Sequence, residues 1–409
     1  MKISLRFVIV AMTVASIVPA LGQSDSTNTT PTNSSPIGIT GGGSTSPDLT
    51  PKDKAGAFIH PGLLHSDADF ARMKEHLHDK PWDDGWEKLI ANRHASLDWQ
   101  PHPIAVVVRG QNHDLPQNYA GFFNDIAAAY ACALRWRISG DSRYADKSVE
   151  IMNAWSSTLK KITGSSDANL AAGIYGYEFA IAAEIMRSYA GWKPEDFARF
   201  QAMMLNVFYP MNHEFLAHRN GPVDHYWANW DLCNMASMIA IGVFCDRRDI
   251  YNEAVDYFKN GAGNGAIEHA VYFIHPGGLG QWQESGRDQG HTTLGIGLMG
   301  AFCETAWKQG DDLYGYDNNR FLAGCEYVAK YNLGEDVPFK PFQDSLATQE
   351  VISPVGRGAV RPIWELIYNH YVKLKGLSAP YTAKEAESVR AEGGGGDYGP
   401  NSGGFDQLG

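Results

Sequence analysis

Cysteine is scarce in this sequence, and its placement predicts neither a disulfide framework nor a zinc site. Five cysteines occur in 409 residues, all in apolar, helix-like surroundings, and an odd number leaves at least one thiol unpaired. Cys233 and Cys245 stand on one predicted helix, about 18 Å apart, which is too far for a disulfide. We therefore expect buried thiols that act as small hydrophobic side chains.

Positive charge is also scarce, since 34 Lys and Arg residues stand against 46 Asp and Glu residues and the formal net charge is −12. This balance argues against nucleic acid as a partner. An acidic protein can still bind a polyanion, but only through a cleft that is locally positive.

The apolar run near the N-terminus, from Phe7 to Leu21, is too short to span a bilayer comfortably. Lys2 and Arg6 precede it and a small-residue exit follows it, a pattern typical of a secretory signal over residues 1–22. We therefore expect a secreted, extracellular protein that has no membrane attachment once the signal is removed.

The next segment, residues 23–56, consists mainly of Ser, Thr, Pro, Gly, Asn and Asp. Such a composition cannot bury a core and predicts a flexible linker. Two glycosylation sequons begin at Asn28 and Asn33 and matter only if the host glycosylates secreted proteins. Residues 57–409 contain no second linker, so we expect a single catalytic domain that acts as a monomer.

Strand-like alternation is scarce from Asp67 onward, where apolar residues recur every three or four positions and so predict helices. Short polar turns join several of these helices, which favours antiparallel pairs. The stretch 170–184, LAAGIYGYEFAIAAE, fits a buried inner helix because Ala and Gly allow close packing. We predict an all-α fold, an α/α toroid in which an incomplete barrel of antiparallel helix pairs has a cleft at one end. The clearest predicted helices are Phe122–Arg137, Tyr144–Leu159, Leu170–Tyr189, Pro194–Ala217, Tyr226–Phe244, Thr292–Trp307, Asn318–Tyr331 and Pro362–Lys375.

The chemically richest stretch is residues 275–291, HPGGLGQWQESGRDQGH. Its proline and glycines predict a turn after the apolar run 270–274. Ser285 is a candidate N-cap for the next helix, and Arg287 and His291, at i and i+4, would project from one face of that helix. A solvated, charged helix start is the alternative. The helix that follows is Gly-rich and apolar, however, so we expect its polar start to line a concave site.

A second stretch, residues 220–231 (NGPVDHYWANWD), places a histidine among aromatic and amide side chains. Asp224 is a plausible N-cap, and His225 would start a helix with Asn229 one turn later on the same face. Histidine can act as a base near neutral pH because its ordinary pKa lies there. A surface or capping histidine is the alternative.

Aromatic side chains are abundant, with 11 Trp and 19 Tyr, and several stand beside Asn, Gln or His. Aromatic rings bind the apolar faces of sugars, and amide or charged groups bind their hydroxyls, so such clusters favour a carbohydrate site. Filling of a helical core is the alternative for any single ring. The clusters are Tyr226–Trp230, Gln281–Gln283 and Tyr368–Tyr371.

Four stretches together resemble one enzyme family, and ESGRDQGH is specific in their context. They are NLAAGIYGYEFAIAAEIMR (169–187), DHYWANWDLCN (224–234), QWQESGRDQGHTTLGIG (281–297) and RPIWELIYNHYVKLKGL (361–377). The sequence is similar to the alginate-lyase-like superfamily, most closely polysaccharide lyase family 38, over essentially all of the chain after the linker. The resemblance implies an α/α toroid that binds an anionic uronate polysaccharide. It also implies that 1,4-linked polymers such as alginate (polymannuronate) or glucuronan are cleaved by β-elimination, without a redox cofactor. We expect no metal at the site.

β-Elimination requires a cation or hydrogen-bond donors on the uronate carboxylate, a base at C5 and an acid at the O4 leaving group. Arg287 is the expected cation, because its planar fork matches a carboxylate at two points, with Asn169 or Asn229 as the amide donor. His225 is the first candidate for the base and His291 the second. We expect the acid, or a combined acid and base, among Tyr175, Tyr177, Tyr226 and Tyr272, and further substrate contacts from Trp227, Trp282, Gln283 and Glu284.

One residue departs from the pattern of related alginate lyases of another family, which place an Asn-Asn-His triplet before the aromatic run. Asp224 stands before His225 here, and an ionised carboxylate cannot neutralise the substrate carboxylate. We therefore expect the amide donor elsewhere, at Asn169 near the start of the inner helix.

Three other functions compete with elimination. A glycoside hydrolase would use Glu284 and Asp288 as paired carboxylates, but their i, i+4 spacing puts both on one side of a substrate instead of flanking the scissile bond. A non-catalytic carbohydrate-binding protein would need the aromatic rings but has no use for the charged residues and histidines. A metal role for His275, Asp288 and His291 is the third, although their spacing is irregular.

Overall fold

The computed structural model describes residues 56–111, 115–217, 221–345, 347–358 and 361–390. The predicted secretory signal, nearly all of the predicted linker and the Gly-rich C-terminal stretch lie outside these residues. All described residues belong to one compact unit, Thr50–Gly409. None of the helices in the described ranges is long and apolar enough to cross a membrane.

Helices dominate the described part of the chain, as the spacing of apolar residues predicts. Two short π-helical segments, residues 204–208 and 369–374, continue α6 into α7 and extend α13. Two 3-10 turns lie at residues 93–95 and 283–286. The α-helices are α1 (Asp67–Glu75), α2 (Trp82–Ala91), α3 (Ala120–Ser139), α4 (Ser142–Thr158), α5 (Asp167–Met186), α6 (Pro194–Met203), α7 (Tyr209–Leu216), α8 (Ala228–Phe244), α9 (Arg248–Asn260), α10 (Ile267–Ala270), α11 (Gln289–Lys308), α12 (Tyr316–Asn332), α13 (Trp364–Tyr368) and α14 (Pro380–Arg390).

The centre of the molecule is formed by α3, α5, α8 and α11, which carry the most completely buried residues. Every residue of α5 from Ala171 to Met186 is buried. Close packing requires glycine there: a Cβ on Gly173 would lie 2.3 Å from Cys233 Sγ of α8, and one on Gly176 would lie 2.1 Å from Ser237 Oγ. The predicted inner helix and the predicted α/α toroid are therefore confirmed.

The predicted helices agree with the observed ones, with differences at their ends and interiors. The segment predicted as one helix, Pro194–Ala217, is interrupted by a π-helical turn that preserves its direction. The helix predicted from Tyr226 begins two residues later, at Ala228. In α12 the residues Asp317–Asn319 have positive φ angles of 47° to 61°, a left-handed turn that helical periodicity does not report.

Within the described residues, six short strands form three two-stranded sheets, a small departure from the predicted all-α class. The strands are β1 (Val106–Arg109), β2 (Lys161–Gly164), β3 (Val271–Ile274), β4 (Gly280–Trp282), β5 (Phe342–Gln343) and β6 (Thr348–Gln349). Strand β1 pairs with β2 in parallel, whereas β3–β4 and β5–β6 are antiparallel. The tight connection between β3 and β4 uses Gly277 and Gly278 at φ angles of 97° and 89°, where other residues are strained. The predicted turn after residues 270–274 is thus the turn of a β-hairpin, and the chain continues from this hairpin to Arg287.

All five thiols are unpaired in the structure, and four of them are buried, with Cys245 half-buried. Burial raises the pKa of the Cys132 thiol to about 12, so it stays protonated and unreactive. The cysteines therefore act as small hydrophobic side chains, as expected.

Candidate active site

Arg287 lies in the short link between the β3–β4 hairpin and α11. After β4, a 3-10 turn over Gln283–Gly286 leads to Arg287, and Asp288 then caps α11, its Oδ1 accepting from the His291 backbone N–H at 2.8 Å. The N-cap is therefore Asp288, and the prediction of Ser285 was wrong. Ser285 is fully buried, and its carbonyl accepts from the Ser353 amide at 2.9 Å.

The Arg287 guanidinium is the centre of a polar cluster. Its Nη1 donates to Glu284 Oε1 at 2.9 Å and its Nη2 to His291 Nε2 at 3.1 Å, although Arg287 itself precedes the helix. Because arginine can only donate, His291 Nε2 is an acceptor and the imidazole proton is on Nδ1, which lies 2.7 Å from Asp288 Oδ2. The side chains of Arg287 and His291 remain 24 % and 32 % exposed, so this cation faces solvent while its direction is fixed from behind.

The predicted substrate contacts Gln283 and Glu284 are both fully buried and bind the N-terminus of α8 instead. Gln283 Oε1 accepts from the Ala228 amide at 3.1 Å, and Glu284 Oε2 from the Asn229 amide at 2.9 Å. These two acceptors satisfy helix amides that would otherwise have no partner. Burial raises the pKa of Glu284, while Arg287 and His291 act in the opposite direction.

His225 lies in the turn that precedes α8, so the predicted helix start at this residue was wrong. Its amide donates to the Pro222 carbonyl at 3.1 Å, and its half-buried ring lies edge-on to Tyr226, with 4.9 Å between centroids. Because α8 begins at Ala228, His225 and Asn229 do not share a helix face. Asn229 is buried, and its Oδ1 has no hydrogen-bond partner among the described residues.

The two loops meet at Trp227. The Arg287 guanidinium carbon lies 4.9 Å from the centroid of the Trp227 ring, and Trp227 follows His225 by two residues. Two Cα–Cα steps span at most about 8 Å, so the turn that carries His225 lies beside the Arg287 cation. The structure therefore brings together Trp227, Arg287 and His291, and His225 lies in the same turn as Trp227.

The turn before α8 is held in place by side chains from later in the chain. The Asn264 amide group donates to the carbonyls of Asp224 and Tyr226 at 3.2 and 2.8 Å, and Asp224 Oδ2 accepts from the Ser345 amide at 3.1 Å. Tyr226 also packs against Trp230, with 4.8 Å between ring centroids. Asp224 thus fixes the loop, and it does not cap α8 as predicted, since Trp227 is at the N-cap position.

The residues predicted on α5 differ in exposure. Asn169 is half-buried in the first turn of the helix, whereas Tyr175 is 1 % and Tyr177 4 % exposed. The Tyr175 hydroxyl accepts from Arg109 Nη1 at 3.3 Å, and burial raises the pKa of Tyr175. A tyrosine this deeply buried is not accessible to a substrate, which weakens its prediction as the acid.

Arg109, a buried cation that the sequence analysis did not single out, is bonded to Tyr175. It is 4 % exposed at the end of β1, and its guanidinium lies 5.4 and 5.5 Å from the ring centroids of Tyr119 and Tyr175. The available signal was a cation that directly ends the apolar run 106–108.

Trp282 and Tyr272 were predicted to bind substrate, but both are engaged inside the protein. The Trp282 indole is fully buried against Gly295, where an added Cβ would lie 2.8 Å from Trp282 Cζ2. The Tyr272 hydroxyl donates to the Lys340 carbonyl at 2.6 Å and accepts from the Gln281 amide. Trp282 is thus a core residue, and Tyr272 anchors the segment before β5.

The geometry also removes the support for a hydrolase pair and for a metal site. Glu284 is fully buried and Asp288 caps α11, so neither carboxylate is placed to flank a glycosidic bond. His275 Nε2 is bonded to Gln281 Oε1 at 2.9 Å, and its ring stacks on Tyr327. Within the described ranges no three His, Cys, Asp or Glu side chains are grouped so that they could hold a metal ion.

Solved structures with the same fold are alginate lyases. One is an alginate lyase from Bacteroides ovatus, with 13 % identity and a TM-score of 0.56, covering 80 % of this chain and 96 % of that one. Another is alginate lyase A1-III from Sphingomonas species A1, with 13 % identity and a TM-score of 0.51, covering 78 % and 91 %. A histidine-to-alanine variant of A1-III complexed with tetrasaccharide has 14 % identity and a TM-score of 0.55, covering 78 % and 91 %.

The family model for alginate lyase matches residues 91–338, more than half of the chain and all of the predicted site residues. Together with the α/α toroid, this defines the protein as a polysaccharide lyase. The chain belongs to the alginate lyase family. No curated protein matches it.

Proposed function

We propose that this protein is a secreted lyase that cleaves 1,4-linked uronate polymers, alginate or glucuronan, by β-elimination, with the specificity range of polysaccharide lyase family 38. The observation that carries this proposal is the solvent-facing guanidinium of Arg287, which is held by Glu284 and His291 beside the turn that contains His225. An anionic polymer would bind here because this protein, acidic overall, presents a fixed cation at this point.

Arg287 neutralises the uronate carboxylate, which is the step that makes the C5 proton removable. Removal of this proton places charge on C5 next to an existing anion, and a two-point contact from a planar guanidinium spreads that charge best. Asn169 is the preferred amide donor, because it is half-buried whereas Asn229 is 2 % exposed.

His225 accepts the C5 proton. The alternative base, His291, has its acceptor nitrogen Nε2 occupied by the Arg287 N–H, whereas no hydrogen bond from a described residue occupies the half-buried ring of His225. Tyr226 is the preferred acid at O4 because it is half-buried beside His225, whereas Tyr175 and Tyr177 are buried and Tyr272 is bonded to Lys340. Solved relatives complexed with tetrasaccharide carry substitutions of a tyrosine and of a histidine, the residue types assigned here to proton transfer.

Polymannuronate, polyguluronate and glucuronan are incubated with the protein, and ultraviolet absorbance and new reducing ends are followed together. Elimination conjugates a new C4–C5 double bond with the carboxylate, so we expect absorbance to rise in step with reducing ends on at least one polymer. The His225→Ala variant should show no elimination activity. His269→Ala, which changes an exposed histidine on α10, should have the activity of the wild type.

Reducing ends without absorbance would identify hydrolysis and refute the proposal. A wild-type protein that binds a polyuronate but releases no product would instead be a carbohydrate-binding protein. If folded His225→Ala keeps normal elimination, His225 is not the base, and His291 is the next residue to test.

A further inference from the structure

The buried carboxylate of Glu284 contacts both halves of the active site. Its Oε1 accepts from Arg287 Nη1 at 2.9 Å, and its Oε2 accepts from the Asn229 amide in the first turn of α8 at 2.9 Å. The residue is fully buried, so neither contact is screened by water and no oxygen of Glu284 is available to a substrate.

We propose that Glu284 is a positioning residue for the elimination, because its carboxylate holds the Arg287 guanidinium in register with the start of α8 and with the turn that carries His225. This inference rests on the proposed role of Arg287 as the clamp for the substrate carboxylate. Glu284 acts only through Arg287 and never touches the sugar.

Gln283 shows that capping of α8 does not by itself explain why residue 284 carries a charged carboxylate. Gln283 caps the Ala228 amide with a neutral oxygen at 3.1 Å, so the α8 terminus can be satisfied without a carboxylate. Burial of an ionised carboxylate is costly unless the charge is paired. The negative charge of Glu284 is therefore paired with Arg287, and the second carboxylate oxygen of Glu284 caps the Asn229 amide.

The other contacts of Arg287 are weaker. His291 offers an imidazole nitrogen at 3.1 Å, and Asp288 Oδ2 lies 3.6 Å from Nε, beyond a normal hydrogen bond. Among the described residues Glu284 is thus the only carboxylate within hydrogen-bond distance of this guanidinium. Without the Glu284 carboxylate, the Arg287 guanidinium stays charged but is no longer held in a fixed orientation.

The pH dependence of kcat/KM gives a second test of the positioning role of Glu284. The titratable groups that face Glu284 are Arg287 and His291, which favour its ionised form, and Asp231 on α8, whose charge interacts with it. Burial raises the pKa of Glu284, so acidification protonates it before an exposed glutamate. The acid limb of kcat/KM should then contain a titration that Glu284→Gln removes.

The experiment is a double-mutant cycle on kcat/KM, measured by absorbance of the unsaturated product. Glu284→Gln should lower kcat/KM about 10- to 100-fold in the wild-type background, since a displacement of about 1 Å at a clamp can cost that much. In the Arg287→Ala background the same change should cost less than about 3-fold, because the group through which it acts is gone. Glu284→Asp retains the charge and should recover part of the activity that Glu284→Gln loses.

Glu304→Gln is the matched control. Glu304 is also a buried glutamate with a raised pKa and bonds to a cation, Lys308, at 3.1 Å, but it lies at the far end of α11. This variant should lose stability without losing kcat/KM per folded molecule.

Equal fold-losses from Glu284→Gln in both backgrounds would show a merely structural role and overturn the inference. So would an unchanged acid limb, or an effect of Glu304→Gln as large as that of Glu284→Gln. A wild-type protein that yields no unsaturated product from any polyuronate refutes the proposed function instead, which separates the two failures.

Discussion

Asp231, in the first turn of α8, should make the stability of this protein fall as the pH rises through the neutral range. The residue is 1 % exposed, its Oδ2 accepts from the Gly265 amide at 2.9 Å and from the Tyr257 hydroxyl at 3.1 Å, and its Oδ1 has no hydrogen-bond partner among the described residues. Burial, with a smaller contribution from the charge of Glu284, raises the pKa of Asp231 from 3.8 to about 7.

A raised carboxyl pKa means that the folded protein binds the proton more tightly than the unfolded chain does. Stability is therefore greatest below the unfolded pKa of about 4, decreases as the pH rises toward 7, and is constant above it. Each pKa unit corresponds to about 1.36 kcal/mol, so the full change corresponds to about 4 kcal/mol. The partial positive charge at the N-terminus of α8 favours the ionised form and offsets about 1–2 kcal/mol of this. We expect a net cost of about 2–3 kcal/mol.

Asp231→Asn replaces the carboxyl with a neutral group of the same shape that keeps an acceptor for Gly265 and Tyr257. Urea unfolding should show the variant about 2–3 kcal/mol more stable than the wild type at pH 8 and within about 1 kcal/mol of it at pH 4. Asp125→Asn is the contrast, because both Asp125 oxygens accept indole N–H groups, from Trp99 at 2.9 Å and from Trp155 at 2.7 Å. That change should destabilise by about 1–3 kcal/mol at both pH values. If Asp231→Asn destabilises equally at pH 4 and pH 8, the burial argument is wrong.

Two further predictions concern the clamp and the packing behind it. Arg287→Lys should lose kcat/KM on the order of 10²-fold, within about 3-fold of Arg287→Ala, because an ammonium cannot make the planar two-point contact; retention of more than about a tenth of the activity would contradict that geometry. Gly295→Ala should destabilise by about 1–3 kcal/mol in urea unfolding, since its Cβ would lie 2.8 Å from Trp282 Cζ2. Gly85→Ala on α2, where nothing lies within 4 Å of the new Cβ, should instead stabilise by about 0.5–1 kcal/mol, and equal effects of the two changes would refute the packing argument.

The inner helices could be predicted from the sequence because their evidence is local. A run such as 170–184 combines apolar residues with Ala and Gly, and this composition is compatible only with a close-packed helix. The π-helical turns inside 194–217 and after α13 could not be predicted, since they leave the apolar spacing almost unchanged. The charged and polar motif around Arg287, which the sequence singled out, forms a connected polar cluster in the structure.

The roles within that motif could not be predicted because they depend on partners far away in sequence. Gln283 and Glu284 read as substrate contacts, yet they bond to amides 55 positions earlier in the chain. The sequence predicted Trp282 to be an aromatic platform for a sugar because Gln281 and Gln283 flank it. In the structure these glutamines bond to His275 and to the Ala228 amide, and the indole is buried in the core. The local sequence shows which polar side chains are present. Only the fold shows which of them are hydrogen-bonded within the protein and so cannot contact a substrate.

The two helix caps at the start of α8 also limit how the site can move. The amides of Ala228 and Asn229 are bonded to side chains of the turn before Arg287, so separation of the two loops would leave two buried donors unsatisfied at about 1–3 kcal/mol each. The turn that carries His225 and the turn that carries Arg287 therefore behave as one rigid wall. Any movement that admits a long polymer therefore has to involve other segments, and these two amides should exchange with solvent only when the two turns unfold together.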